Sequence, residues 1–267
     1  MIQQGSRVLT GYAILPPKHE WLTVPFLDFL KIAKKHMKTE RISEFTINRL
    51  SIYLRCLNLL ALSGVKTTSS QSLAKEFQLN SAQIRKDLTY FGEFGVRGVG
   101  YSVDDLRREL SKILGLDLLH RIGIVGAGNL GMALANYKGF NPNHFQVSAL
   151  FDKDLSRVGE TSRSGVFVYH IKDLKPIAQK EEICIGVICV PAEEAQPVAD
   201  LLIDAGITAI LNFAPVRLNK AGLVKLKNMD LAISFESLSY FISSTRWAKT
   251  PKPLKGDNDS MSASDDD

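Results

Sequence analysis

From Thr46 onward the apolar positions fall at helical spacing. Ile47, Leu50, Leu54, Leu57 and Ala61 share one face, and Gly64 stands where such a helix ends. A second, short helix follows the cap-rich run Thr67-Thr68-Ser69-Ser70 and turns Leu73, Ala74 and Phe77 inward. Gln78-Leu79-Asn80 reads as a turn. A third helix runs from about Ser81 to Phe91, with Ile84, Leu88 and Phe91 on its inner side and Gly92 closing it. The glycine-rich stretch Gly92 to Tyr101, with interleaved apolar and aromatic residues, predicts a tight β-hairpin between regular segments. Ser102 and Asp105 form a capping pair that opens a helix with Leu106, Leu110 and Ile113 on one face and Gly115 at its end. Three helices, a hairpin and a closing helix over residues 37–115 make an N-terminal winged-helix domain.

After Leu116 the pattern alternates between strand and helix. Ile122–Val125, Val147–Phe151, Val166–Tyr169, Ile183–Val190 and Ile207–Phe213 read as strands, with helical segments such as Leu130–Tyr137 and Glu193–Ala205 between them. This alternation predicts an α/β domain over residues 116–234, a Rossmann-type, doubly wound parallel sheet with helices on both faces. Phe235, Leu238, Phe241 and Ile242 then give a last helix, residues 235–250, an apolar face. That face suits insertion into a partner; a helix of the chain's own core is the alternative. Residues 1–36 show only one amphipathic segment, Val24 to Lys35, and are read as an extension, either optional or created by the assigned start. Residues 251–267, with Asp257, Asp259 and Asp265 to Asp267 among Gly, Ser and Asn, have the composition of a disordered acidic tail.

Composition narrows the class. At 267 residues, 45% hydrophobic and 23% charged, the chain has room for two modest domains. No apolar run approaches the roughly 18 residues of a membrane span, and no secretory leader pattern is evident. Cys56, Cys184 and Cys189 are too scattered for a disulfide framework or a zinc site, and Cys184 and Cys189 read as small buried hydrophobes, so a cytoplasmic protein without a metal is expected. The net charge of +5 is a mild hint of a polyanionic partner. Its distribution says more: Lys31, Lys34, Lys35, Lys38, Arg41, Arg49, Arg55 and Lys66 face only Glu40 and Glu44 in their stretch.

The segment Ser72 to Phe91, within a broader region Ile52 to Phe91, reads as a helix-turn-helix whose second helix enters the major groove of double-stranded DNA. Its outward face offers Ser81, Gln83, Arg85, Lys86 and Thr89, side chains able to reach base edges or phosphates. Arg97, between glycines at the hairpin tip, suits a minor groove. A solvated helix in a protein-interaction module is the competing reading.

Gly126-Ala127-Gly128-Asn129-Leu130-Gly131 follows a strand and opens a helix, the context in which a G-x-G-x-x-G loop binds a dinucleotide. Asp152, at the end of the next strand, can accept ribose hydroxyls and repels a 2′-phosphate, favouring NADH and NAD+ over their phosphorylated forms. Lys153 beside it softens that discrimination. A structural glycine turn followed by an N-capping Asp is the alternative. No Tyr precedes Lys by four residues, and His19, His36, His120, His144 and His170 show no partner spacing, so the pattern favours sensing over hydride-transfer catalysis.

In this order the segments resemble the Rex family of redox-responsive transcriptional repressors over about residues 37–247. The shared words are Tyr53-Leu54-Arg55, Ile84-Arg85-Lys86-Asp87-Leu88, Tyr90-Phe91-Gly92, Arg97-Gly98-Val99-Gly100-Tyr101, the Gly126–Gly131 loop and Ile210-Leu211-Asn212-Phe213-Ala214-Pro215. The resemblance implies a homodimer with a C-terminal helix exchanged between subunits and a repressor released from operators by NADH and opposed by NAD+. By position it adds Pro191, Asn212 and Leu231 to the cofactor site, and it assigns coupling to Arg55, Tyr101 and Asp230, the last two paired across the dimer. The chain departs from the family at Asn129, where others carry Arg, and at Leu231, where some carry an aromatic residue. An NAD-dependent oxidoreductase with an accessory domain and a CoA- or other nucleotide-binding regulator remain as alternatives.

Overall fold

The computed structural model describes residues 42–96, 98–219 and 224–249, with side chains of the last helix described to Ser244. The amphipathic segment expected at residues 24–35, the acidic tail and Arg97 lie outside the described residues. The chain divides into two compact units between Asp117 and Leu118, two residues beyond the boundary expected from periodicity.

In the first unit, helix α1 (Glu44–Leu62) starts at Ser43, whose hydroxyl accepts the Thr46 amide and so satisfies one of the free donors of the first turn. Strand β1 (Thr67–Thr68) and helices α2 (Ser70–Phe77) and α3 (Ser81–Thr89) follow. Asn80 caps α3 by accepting the amides of Ala82 and Gln83. Strand β2 (Tyr101–Ser102) leads into α4 (Val103–Ile113), where Ser102 caps through the Asp105 amide as expected. Leu50, Leu54 and Leu57 of α1, Leu73 of α2, Ile84 and Leu88 of α3, and Leu106 and Leu110 of α4 meet in one buried cluster. Gly92–Tyr101 is less regular than the hairpin expected. Val96 and Gly100 make a single antiparallel pair, and β2 pairs instead with β1, Thr67 opposite Ser102. The wing is therefore anchored to the segment ahead of α2, because a dipeptide strand needs a neighbour outside itself to fill its ladder. Helix α3 also stops at Thr89, short of Phe91.

The second unit is built on six strands: β3 (His120–Val125), β4 (Phe145–Asp152), β5 (Val168–His170), β6 (Ile183–Ile188), β7 (Ala209–Asn212) and β8 (Lys225–Asn228). All pairings are parallel, in the order β5-β4-β3-β6-β7-β8, the doubly wound arrangement of a Rossmann sheet. Helices α5 (Asn129–Ala135), α6 (Leu174–Lys180) and α7 (Ala192–Asp204) cover it. Alternation along the strands shows both faces buried. Ile124, Leu150 and Val187 pack in one cluster with Ala135 of α5, while Val125, Phe151 and Ile188 pack in another with α6 and α7. Helix α8 (Leu231–Lys249) begins four residues before the expected start, and its described side chains are all exposed. Among the cysteines, Cys56 is buried and Cys189 half-buried, but Cys184 is exposed on β6, so the expectation of buried small hydrophobes fails there. No described helix is long and apolar enough to cross a membrane.

Candidate functional site

The C-terminal ends of the parallel strands gather at one edge of the sheet, and β3 lies there between β4 and β6. The loop leaving β3 is Gly126–Gly131. Gly126 has φ +100°, and a side chain there would meet the Cys189 carbonyl oxygen at 2.4 Å. At Gly131 a Cβ would lie 1.9 Å from the Gly126 oxygen, so only glycine lets α5 fold back on the strand. The space beside Gly128 is open within 4 Å. A Cβ would fill this cradle, so the loop fits the close approach of a pyrophosphate to backbone. No side chain caps α5 at Gly128.

Asp152, at the end of β4, completes the loop. Its Oδ2 accepts the Ala127 amide at 2.8 Å and its Oδ1 the Asp154 amide at 3.0 Å. Each carboxylate oxygen retains a further lone pair, enough to accept a ribose hydroxyl. Arg157, which periodicity did not single out, donates from Nη1 to the Ala127 carbonyl at 2.9 Å. Ala127 is thus held at both its backbone N–H and its C=O, in the two peptide units that flank it. Lys153 is not a free cation at this corner: its Nζ lies 2.5 Å from Oε1 of Glu194 in the first turn of α7. Pro191 precedes that helix at its N-cap, while Asn129 and Leu130 begin α5. Asn212, expected at the cofactor, turns its side chain into the fold. Its side chain is fully buried, donating to the carbonyls of Ala214 and Val216 and to Asn228 Oδ1 and accepting the Ala214 amide. These bonds shape the loop after β7. Leu231, first residue of α8, is exposed, and Asp230 accepts the Ala232 amide at 2.9 Å as that helix begins.

In the winged helix, α3 displays Arg85, Lys86 and Thr89 on its exposed side, with Ser81 partly covered. Arg85 is braced by a bond from Nη1 to the buried Ser70 hydroxyl at 2.9 Å, and Thr89 Oγ1 donates to the Arg85 carbonyl. Gln83 is half-buried, and its Nε2 donates to Asp87 Oδ1 at 2.8 Å, which leaves Oε1 as the amide's unengaged acceptor. A bidentate grip on adenine by this residue would compete with that bond.

Asp87 is fully buried and organises the unit. It receives Arg49 Nε at 2.6 Å, Arg49 Nη2 at 2.7 Å and the Tyr53 hydroxyl at 2.9 Å. Burial alone would raise the Asp87 pKa, but the donors from Arg49, Gln83 and Tyr53 outweigh it and hold the carboxyl below its ordinary range. Tyr53 shifts upward, first by burial and then by its bond to the Asp87 carboxylate. Arg49, counted with the basic stretch in the sequence, is therefore a structural partner of Asp87 rather than a free cation. Arg55 is exposed on α1, and Tyr101 is half-buried in β2.

The model described as "Putative DNA-binding protein N-terminus" matches residues 41–89, and that described as "CoA binding domain" matches residues 118–216. The redox-sensing transcriptional repressor Rex of Desulfitobacterium hafniense is 47% identical over 210 residues, covering 79% of this chain and 100% of that protein. Among solved structures, RSP in complex with β-NAD+ and operator DNA matches with a TM-score of 0.73 at 38% identity, over 78% of this chain and 95% of that one. RSP in complex with β-NADH matches with a TM-score of 0.69 at 37% identity, over 78% and 98% of the two chains. A winged helix and a Rossmann sheet with a clamped glycine loop, at this identity over whole relatives, place the chain in the Rex family of redox-sensing transcriptional repressors.

Proposed function

We infer that the chain is a dimeric, DNA-binding repressor in the cytoplasm, a regulator and not an enzyme, which lets go of its operator when NADH rises against NAD+. The observation that carries this is the union in one Rex-family chain of the Gly126–Gly131 cradle with Asp152 and of α3 with Arg85, Lys86 and Thr89 outward. RSP, its relative, was solved with NAD+ on operator DNA and also with NADH.

In this reading Gly128 admits the pyrophosphate, Asp152 holds the adenosine ribose, and Asn129, Leu130, Pro191 and Leu231 border the bound molecule. When bound, the cofactor supplies a nicotinamide ring that is cationic in the oxidised form and neutral in the reduced one. The protein senses that difference only if its two dimer arrangements accommodate the two rings unequally. One arrangement sets two α3 helices to match half-sites a helical turn, or a multiple, apart. Arg55, Tyr101 and the partner's copy of Asp230 are assigned the link between crevice and winged helix. Helix α8 is assigned to the dimer contact, exchanged between subunits, since Phe235, Leu238, Phe241 and Ile242 are exposed on the single chain.

Operator affinity of the purified chain on a palindromic site, read by fluorescence anisotropy, tests the reading. Saturating NADH should weaken binding strongly, NAD+ should not, and CoA should have no effect. Equal affinity with NADH and NAD+ would remove the sensor function, and release by CoA would favour a CoA-responsive regulator.

A further inference from the structure

The ion pair between Lys153 and Glu194 links two loops that leave the sheet on either side of β3. Lys153 follows β4 and Glu194 sits in the first turn of α7 after β6, so the pair spans the mouth of the glycine loop. A 2′-phosphate on the adenosine ribose brings close to two negative charges and is usually met by an arginine or lysine at this corner. Two cations stand here. Arg157 donates to the Ala127 carbonyl and lies 4.0 Å from Asp154. Lys153 is met by Glu194 at 2.5 Å. The remaining charges are carboxylates: Asp152 and Glu193 also act on the Lys153 ammonium. Four carboxylates, Asp152, Asp154, Glu193 and Glu194, thus face two cations.

We propose that Glu194 is a specificity-determining residue, which sequesters Lys153 and thereby denies a 2′-phosphorylated dinucleotide the cation it would need. The proposal rests on the reading of this crevice as a dinucleotide site. The Glu194 side chain is 30% exposed against 67% for Lys153, so the carboxylate is the less solvated member of the pair. Asp152 repels a 2′-phosphate on its own; Glu194 makes that repulsion hold despite a neighbouring lysine. A phosphate competing for Lys153 would leave the Glu194 carboxylate unpaired beside it, and two like charges at that distance repel.

The test is the ratio of NADPH to NADH affinity, measured by titration calorimetry for the unaltered chain, Glu194→Gln, Lys153→Met and the double variant. Glu194→Gln keeps the side-chain shape, removes one negative charge and frees Lys153. It should raise the ratio by roughly tenfold at low ionic strength, and by less as salt screens the corner. The gain should vanish in the double variant, because the released lysine carries it. An unmoved ratio in Glu194→Gln overturns the proposal, as does a gain that survives Lys153→Met. Failure of the unaltered chain to bind NADH at all would overturn both the proposal and the dinucleotide reading, whereas NADH binding with an unmoved ratio overturns only the proposal.

Discussion

At the scale of single residues, Asp87 illustrates how a charged side chain can sit at the centre of a small core. It occupies an inner position of α3 between Ile84 and Leu88, and its two oxygens collect Arg49, Tyr53 and Gln83. Replacing it with alanine leaves the partly covered Arg49 guanidinium and the Tyr53 hydroxyl without their acceptor. Asp87→Ala should cost about 3 kcal/mol of folding stability in urea titrations; a loss under about 1 kcal/mol would mean that water replaces the carboxylate. Its depressed pKa also fixes a sign. Stability from this carboxylate is present above the unfolded value near 4 and fades as pH falls through the folded value, so the urea midpoint should drop below about pH 4. Tyr53 acts in the opposite direction, its contribution fading as pH climbs beyond about 10. The acid limb should flatten in Asp87→Ala, whereas the alkaline limb should shrink only in part, because burial is the larger cause of the Tyr53 shift. Arg97→Ala should weaken operator binding by about 1–3 kcal/mol by anisotropy if its side chain enters a groove, and unchanged affinity would count against that role. Asp87 was legible in principle, since Ile84, Asp87 and Leu88 share the inner face. Glu194 and Arg157 were not: along the chain they are ordinary surface charges, and only the crossing of strands brings them to the loop.

At the scale of elements, strong periodicity marked the long helices and the central strands, and their ends moved by only a few residues. Periodicity missed α6, whose seven residues are too few to show a helical period although Leu174 and Ala178 enter the core, and two strands whose structure is borrowed. Strand β8 (Lys225–Asn228) has one apolar residue, Leu226, and exists because β7 offers it an edge. Strand β1 is a dipeptide held by β2. Asn212 was placed at the cofactor by resemblance, but its amide closes the turn after β7. Helix α8 was read from its apolar spacing, and its exposure on the single chain supports a contact with a second copy. Leu238→Glu combined with Phe241→Glu should convert the dimer to monomer in sedimentation velocity and weaken operator binding together. A double variant that still sediments as a dimer would move the interface elsewhere.

At the scale of the molecule, the sensor reading requires that crevice and recognition helix communicate. Tyr101→Phe removes a single hydroxyl from β2, in the winged-helix unit, so NADH affinity should stay within about twofold while release from DNA is blunted. Normal release would refute the coupling assigned to Arg55, Tyr101 and Asp230. Helix α8 has a last consequence, for dosage. On the assignment of α8 to the dimer contact, a second copy covers its bare side chains, and thermal stability should climb with protein concentration. In a cell holding few molecules of it, occupancy of a promoter would then scale more steeply than linearly with copy number, so that halving expression silences the switch by more than half.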